Sequence, residues 1–170
     1  SPMGGTAATA SGLPAGSYTV TITDANSCSI QENFTISAPA ALTATQSQTD
    51  VSCNSGSNGT ASVLASGGTG SYTYLWSPFG GTFATATGLP QGNYTVTITD
   101  GNSCSIQKNF TISAPAALTA TQSQTDASCN GVSNGTASVV ASGGAGSYTY
   151  LWSPTGGTAA SASGLSEGSY

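Results

Sequence analysis

Six carboxylates, four cysteines and a single lysine carry the chemical reactivity of this chain beyond hydroxyls and amides, and it contains no histidine. Hydrolysis of a glycoside needs two carboxyl groups held a few ångströms apart, and Asp50 and Asp100 are the pair that one pole of a sandwich could bring together. Turn and strand-end roles outweigh that reading, because Asp and Asn bond their own backbone in turns. Asn54, Asn58 and Asn102 would join the two aspartates at the same pole. All are hard oxygen donors, so Asp50, Asp100 and Asn102 are the calcium candidates. Asx turns account for each of them as well, and no three-carboxylate loop of recognisable spacing is present. Ser and Thr are abundant, yet no repeated general base exists to activate them: Lys108 aligns with Glu32 in the other copy. No catalytic residue, no cofactor and no dedicated metal site are expected.

The elements that must position these groups repeat every 76 residues. Ser77 to Tyr94 (SPFGGTFATATGLPQGNY) restates Ser1 to Tyr18 (SPMGGTAATASGLPAGSY) and returns as Ser153 to Tyr170 (SPTGGTAASASGLSEGSY), while Cys28 returns as Cys104 and Cys53 as Cys129. Near-identical tandem copies mark an array in which number and spacing matter more than one pocket. The net charge is −5 with one basic residue, which excludes nucleic acid as a partner, since phosphate binding rests on Lys and Arg. The polar surface is Ser, Thr, Asn and Gln, so stability should respond weakly to salt. No apolar run approaches the ~18 residues of a membrane-spanning helix, and no basic segment with an apolar core opens the chain. The chain is expected to be a window from a longer polypeptide, with export signal and anchor elsewhere.

Tyr94, Val96 and Ile98 alternate with threonines, the period-two pattern of a half-buried strand, and Tyr18, Val20 and Ile22 repeat it. Ala61, Val63 and Ala65 share one face of another strand, Tyr72, Tyr74 and Trp76 one face of a third, and Phe110 and Ile112 end a fourth. Residues 42–49 (LTATQSQT) form a polar edge strand. Gly67-Gly68, Gly80-Gly81, Asn58-Gly59 and Asp100-Gly101-Asn102 supply turns. Short strands parted by turns every 8 to 12 residues predict an all-β chain of tandem immunoglobulin-like antiparallel sandwiches of about 76 residues each. Ala38-Pro39-Ala40-Ala41 and Ala114-Pro115-Ala116-Ala117 mark boundaries, because proline ends a ladder and stiffens the passage. Residues 1–41 are then the C-terminal part of one repeat, 42–116 a complete repeat and 117–170 the N-terminal part of the next. Leu89 to Tyr94 (LPQGNY) resembles a tyrosine corner, and Trp76, Tyr94, Val96 and Ile98 are assigned to the core.

Cysteines spread singly, without histidine, point to disulfides in an oxidising compartment rather than to metal. Two pairings fit the repeat: Cys53 with Cys104, or Cys28 with Cys53 together with Cys104 with Cys129. Counting strands in order, the first strand ends at the pole where the last hairpin turns. Cys53 with Cys104 is therefore the preferred bond, since a disulfide needs close Cα atoms. Such a bond would close a loop of about 51 residues and stabilise the repeat by roughly 4 kcal/mol, leaving Cys28 and Cys129 to partners outside the chain.

Cys53-Asn54, Ser57-Asn58-Gly59-Thr60, the run 67–76 (GGTGSYTYLW), the run 88–100 (GLPQGNYTVTITD) and Cys104 together resemble the gliding adhesin repeat of Bacteroidota surface proteins, the SprB type. The likeness extends over the whole chain. One departure is Ser71, with Ser147, where that family usually places Pro before the first Tyr of the third strand. The resemblance implies long outer-membrane-associated filaments at the cell surface, exported by the type IX secretion system and carried by the gliding motor, with neighbouring repeats of the same chain as the nearest partners. The expected function is a structural shaft for surface attachment and gliding. A second reading is a module that binds glycan or another polymer through Phe79 and Phe83, whose counterparts are Met3 and Ala7 in one copy and Thr155 and Ala159 in the other. The sequons at Asn33, Asn58, Asn93, Asn109 and Asn134 are more simply turn residues before strand threonines than glycan sites.

Overall fold

The computed structural model describes residues 6–170, so Met3, aligned with Phe79, lies outside the described residues. Among the described residues eleven strands follow in order: β1 (Gly16–Thr23), β2 (Ser29–Ile36), β3 (Thr43–Thr49), β4 (Gly59–Ser66), β5 (Thr73–Ser77), β6 (Thr85–Leu89), β7 (Gly92–Thr99), β8 (Ser105–Ile112), β9 (Thr119–Thr125), β10 (Gly135–Ser142) and β11 (Ser161–Leu165). All pairings are antiparallel. No helix among the described residues is long and apolar enough to cross a membrane. The chain is all-β, built as tandem sandwich repeats.

Strands β3 to β8 form the central sandwich, with sheet order β3-β4-β6 facing sheet order β5-β7-β8. Alternation decides which side chains meet between the sheets. Ala61, Val63, Ala86 and Leu89 come from one sheet, and Trp76, Tyr94, Val96, Ile98, Phe110 and Ile112 from the other, with Val51 closing one end. The outer faces carry hydroxyl pairs instead, among them Ser62 with Thr85 at 2.9 Å and Thr49 with Thr60 at 2.7 Å. Such cross-strand pairs stabilise a solvated face without charge.

Strands β5 and β6, five residues each, share one passage of the chain. Thr73 starts opposite Thr99 and Ser77 ends opposite Thr95, which covers one half of β7. Thr85 then starts opposite Ser62 and Leu89 ends opposite Gly59, which covers the other half of the sandwich's height on the opposite sheet. The segment between them begins at a cis Ser77–Pro78 bond and is folded back so that the Trp76 N–H donates to Gly81 O at 3.2 Å. The chain therefore changes sheets halfway up, and β7 and β8 run opposite to the sense expected from counting six full-length strands.

The flanking segments are partial copies of the same plan. Strands β1 and β2 repeat β7 and β8, with Tyr18 opposite Phe34 and Ile22 opposite Ile30. Strands β9, β10 and β11 repeat β3, β4 and β6 in the order β11-β10-β9. A cavity of about 670 Å³ beside Trp152, Val139 and Leu165 lies on the face of that sheet which, in the central sandwich, packs against the second sheet.

Candidate functional site

One pole of the central sandwich gathers the β7–β8 hairpin, the β4–β5 loop and the entry to β3. Asp100 organises it. Its Oδ1 accepts the N–H groups of Asn102 (3.0 Å) and Cys104 (2.9 Å), and its Oδ2 accepts that of Thr69 (2.9 Å). The Gly101 N–H donates to Thr69 O at 2.8 Å, and Asn102 Nδ2 donates to Thr69 Oγ1 at 3.0 Å. Gly68 packs so closely here that a Cβ would lie 2.5 Å from Asp100 Oδ2, at φ +64°. Only glycine allows this approach. Asp100 is buried. Burial raises its pKa, and the backbone donors of Cys104, Thr69 and Asn102 outweigh that effect and hold it below the ordinary carboxylate value.

The sign of the resulting pH dependence follows. A carboxylate with a lowered folded-state pKa contributes stability that is fully present above its unfolded pKa, about 3.9, and is lost as pH falls through the folded value. Asp100→Asn is expected to lower stability at neutral pH and to flatten the acid limb below about pH 4, measured as thermal midpoint against pH. An acid limb unchanged by the substitution would assign that dependence to other carboxylates.

The opposite pole gathers the β3–β4 loop, the β6–β7 turn and the exit from β8. Asp50 Oδ1 accepts the Ser113 N–H at 2.8 Å, and Val51 N–H donates to Ser113 O at 3.1 Å. Asn58 holds the loop by accepting the Ser52 N–H at 3.0 Å and donating to Ser52 Oγ at 2.8 Å. Asn54 Nδ2 donates to Pro115 O at 3.0 Å. Nearby, Tyr94 OH donates to Pro90 O at 3.1 Å, a corner repeated by Tyr18 with Pro14 and by Tyr170 with Ser166. Burial raises the Tyr94 pKa, which favours the neutral phenol that makes this bond.

This geometry corrects the expected disulfide. Cys53 and Cys104 are free and exposed, as are Cys28 and Cys129. Cys53 lies in the loop whose Asn54 holds Pro115, past the end of β8, whereas Cys104 immediately precedes the first residue of β8. The eight residues of β8 separate the two, about 23 Å at ~3.3 Å per residue, against a Cα separation below about 7 Å in a disulfide. The half-height strands β5 and β6 invert the parity that had placed them together.

The same inversion parts the other groups expected at one pole. Asp50, Asn54 and Asn58 stand at one end, and Asp100 and Asn102 at the other. Asp50 and Asp100 form neither a carboxylate pair nor a shared calcium site, and each is already engaged with backbone N–H donors. Among the described residues, no group of three or more His, Cys, Asp or Glu could hold a metal ion.

Trp76, Tyr94, Val96 and Ile98 lie in the core. Trp76 Nε1 donates to Phe83 O at 2.8 Å and the indole meets Phe110 at a ring separation of 5.3 Å. Because the Phe83 acceptor is backbone, the same bond survives as Trp152 to Ala159 O at 2.9 Å. Phe79 packs edge-on against Tyr94 at 5.3 Å, while the Phe83 ring is 78 % exposed. The two phenylalanines thus differ: one caps the tyrosine corner and the other projects.

Two features carry weight that reading the residues did not assign. Gln48 Nε2 donates to Thr111 O at 2.7 Å and Gln46 Nε2 to Asn109 O at 3.5 Å, so glutamines of β3 cover backbone acceptors on the free edge of β8. An uncovered edge is a template for unwanted pairing, and the alternating Gln-Ser-Gln of LTATQSQT was the available signal. The second feature is the junction. Pro115 O is held by Asn54, and the next carbonyl, Ala116 O, accepts the Gly144 N–H at 2.8 Å. The equivalent bond one repeat earlier is Gly68 N–H to Ala40 O at 2.7 Å.

The SprB repeat family model matches residues 45–81 and, one period later, residues 121–157. In the first copy the matched stretch runs from β3 through β5 to Gly81, where the chain crosses between sheets, and its counterpart runs from β9 to Gly157. The SprB match therefore falls on the polar edge strand, the loops of both poles and the first tryptophan strand. No curated protein and no solved structure matches the chain.

Proposed function

We propose that the chain is a repeat segment of a cell-surface adhesin, and that its repeats form the shaft of a long filament. The observation that carries this reading is the junction: the consecutive carbonyls of Pro115 and Ala116 are bonded to the sandwich before and to the sheet after, respectively. No free residue remains between them to act as a flexible linker. Gly143 reinforces the grip, since a Cβ there would overlap Ala117 O, at φ +74°. Repeats joined in this way transmit orientation from one to the next. The repeat units are 42–116 as the complete one, with 1–41 and 117–170 as parts of its neighbours.

The resemblance to gliding adhesin repeats supports an extracellular, outer-membrane-associated location, export by type IX secretion and engagement with the gliding motor through other regions. The same reading makes the segment non-enzymatic, free of cofactor and indifferent to nucleic acid. Inserting Gly-Gly-Ser between Pro115 and Ala116 is expected to broaden the distance distribution from small-angle scattering while leaving the melting of the central sandwich unchanged. A native chain already as broad as the insertion variant would remove the basis for a stiff shaft.

The exposure of Phe83 favours one other reading, a polymer-binding module in which Phe79 and Phe83 contact glycan. Binding on a glycan array, lost on Phe79→Ala with Phe83→Ala, would establish it. Absence of binding to any surface polymer would leave the shaft alone.

A further inference from the structure

Asparagine is followed by glycine at Asn58-Gly59, Asn134-Gly135 and Asn130-Gly131. Such a pair is chemically labile, because glycine has no side chain to hinder its own nitrogen. That nitrogen can attack the asparagine Cγ: the bond from Gly N to Asn Cγ forms, the bond from Cγ to Nδ2 breaks, the glycine proton passes to solvent, and ammonia leaves with a proton taken from solvent. Water then opens the cyclic imide to aspartate or to isoaspartate, in which the main chain runs through the former side chain. The attack requires Cγ and the glycine nitrogen to reach a reactive geometry, and it requires solvent at the glycine N–H.

The folded repeat denies Asn58-Gly59 both conditions. Asn58 Oδ1 accepts the Ser52 N–H at 3.0 Å and Nδ2 donates to Ser52 Oγ at 2.8 Å, so the amide is clamped at both ends. Gly59 is buried at the start of β4, opposite Leu89. A Cβ there would lie 2.7 Å from Ile112 Cγ2 and 2.7 Å from Leu89 O, so packing admits glycine alone. The fold thus demands both halves of a labile pair, asparagine for the clamp and glycine for the fit, and shields what it demands. Asn134 repeats the clamp on Ser128 at 2.9 and 2.8 Å, with Gly135 buried. Asn130-Gly131 is the opposite case: both residues are exposed, and a Cβ on Gly131 would have nothing within 4 Å. The equivalent pair in the complete repeat, Asn54-Ser55, is exposed too, so the openness belongs to the loop itself.

From this contrast we infer that Asn58-Gly59 is a latent deamidation site, closed while the repeat is folded and open whenever it unfolds. The loop does not recover from conversion. A carboxylate at position 58 has no Nδ2 donor for Ser52 Oγ, and isoaspartate adds a main-chain atom where Gly59 must enter between Ile112 and Leu89. The same loop carries Asn54, whose Nδ2 holds Pro115 O at the junction. A repeat that stays unfolded long enough to react therefore refolds with its loop and its junction altered, and keeps a chemical record of having opened. This chemistry is independent of any adhesin reading.

The test is peptide mapping by mass spectrometry of the native chain, held in mildly alkaline buffer with reductant and digested with pepsin in acid, where loss of the glycine proton is suppressed. In the folded chain, conversion at Asn58 is expected to lag behind that at Asn130 by roughly 100-fold, the penalty that misplacing reacting groups by about 1 Å can carry. In urea sufficient to unfold the chain the two rates are expected to converge, because the same glycine follows each asparagine. Phe110→Ala removes a core ring from β8 and leaves residues 50–59 intact; it is expected to speed conversion at Asn58 and to leave that at Asn130 unchanged. Equal rates at Asn58 and Asn130 in the folded native chain would overturn the inference, as would an Asn58 rate indifferent to urea or to Phe110→Ala.

Discussion

All four cysteines of the native, unreduced chain are expected to react with a thiol reagent, and intact mass after alkylation is expected to show four adducts rather than two or none. Every one of them is exposed and free, and each sits in a polar loop at the end of a sandwich. Cys53 and Cys104 stand about one strand length apart, ~23 Å. The other expected pairing fares no better: Cys104 and Cys129 belong to opposite poles of successive repeats, as do Cys28 and Cys53. Replacing Cys53 and Cys104 together by serine is expected to change stability by no more than about 0.5 kcal/mol, the usual range for surface substitutions. A native bond between them would instead make the loss about 4 kcal/mol. The two outcomes differ by more than about two orders of magnitude in equilibrium constant, so one denaturation curve separates them. Recovery of a peptide linking Cys53 to Cys104 from an unreduced digest would contradict the strand register itself, because no side-chain adjustment spans that distance.

The reason the bond looked plausible marks the limit of what the residues disclose. Alternation of Tyr94, Val96 and Ile98 with threonines is a local signal, and it locates β7 and its buried face without help from the rest of the chain. The same holds for Trp76 and for the tyrosine corner, since each is set within a few residues. Strand parity is not local. The stretch 73–89 reads as two ordinary strands with a Gly-Gly turn between them. Only its pairing, Thr73 with Thr99 and Thr85 with Ser62, shows that each climbs half the height in the same direction. That one crossing decides which loops share a pole, and so moved Cys104, Asp100 and Asn102 away from Cys53, Asp50 and Asn58. The junction was half legible: Pro115 announced a boundary, but the donor that holds its carbonyl, Asn54, lies 61 residues earlier.

Phe34 and Phe110 occupy identical positions in the repeat, and the same substitution at each is expected to have opposite consequences. Phe110 is 3 % exposed, stands opposite Tyr94 and packs its ring against Trp76 at 5.3 Å. Truncating it to alanine removes a buried aromatic and leaves a cavity between the sheets, a loss of about 3 to 5 kcal/mol. A repeat of this size has only about 4 to 11 kcal/mol of net stability. Phe110→Ala is therefore expected to leave the central sandwich marginal or unfolded at room temperature, read from Trp76 fluorescence in urea. Phe34 lies 56 % exposed on β1–β2, and its hairpin shares no core residue with the central sandwich. Phe34→Ala in dilute solution is expected to move the same unfolding midpoint by an amount equivalent to less than about 0.5 kcal/mol. The contrast isolates environment from sequence, because the flanking residues Asn-Phe-Thr-Ile are the same in both copies. Equal losses at the two positions would mean that β1–β2 shares a core with β3 to β8, and the repeats would then not be separate cooperative units.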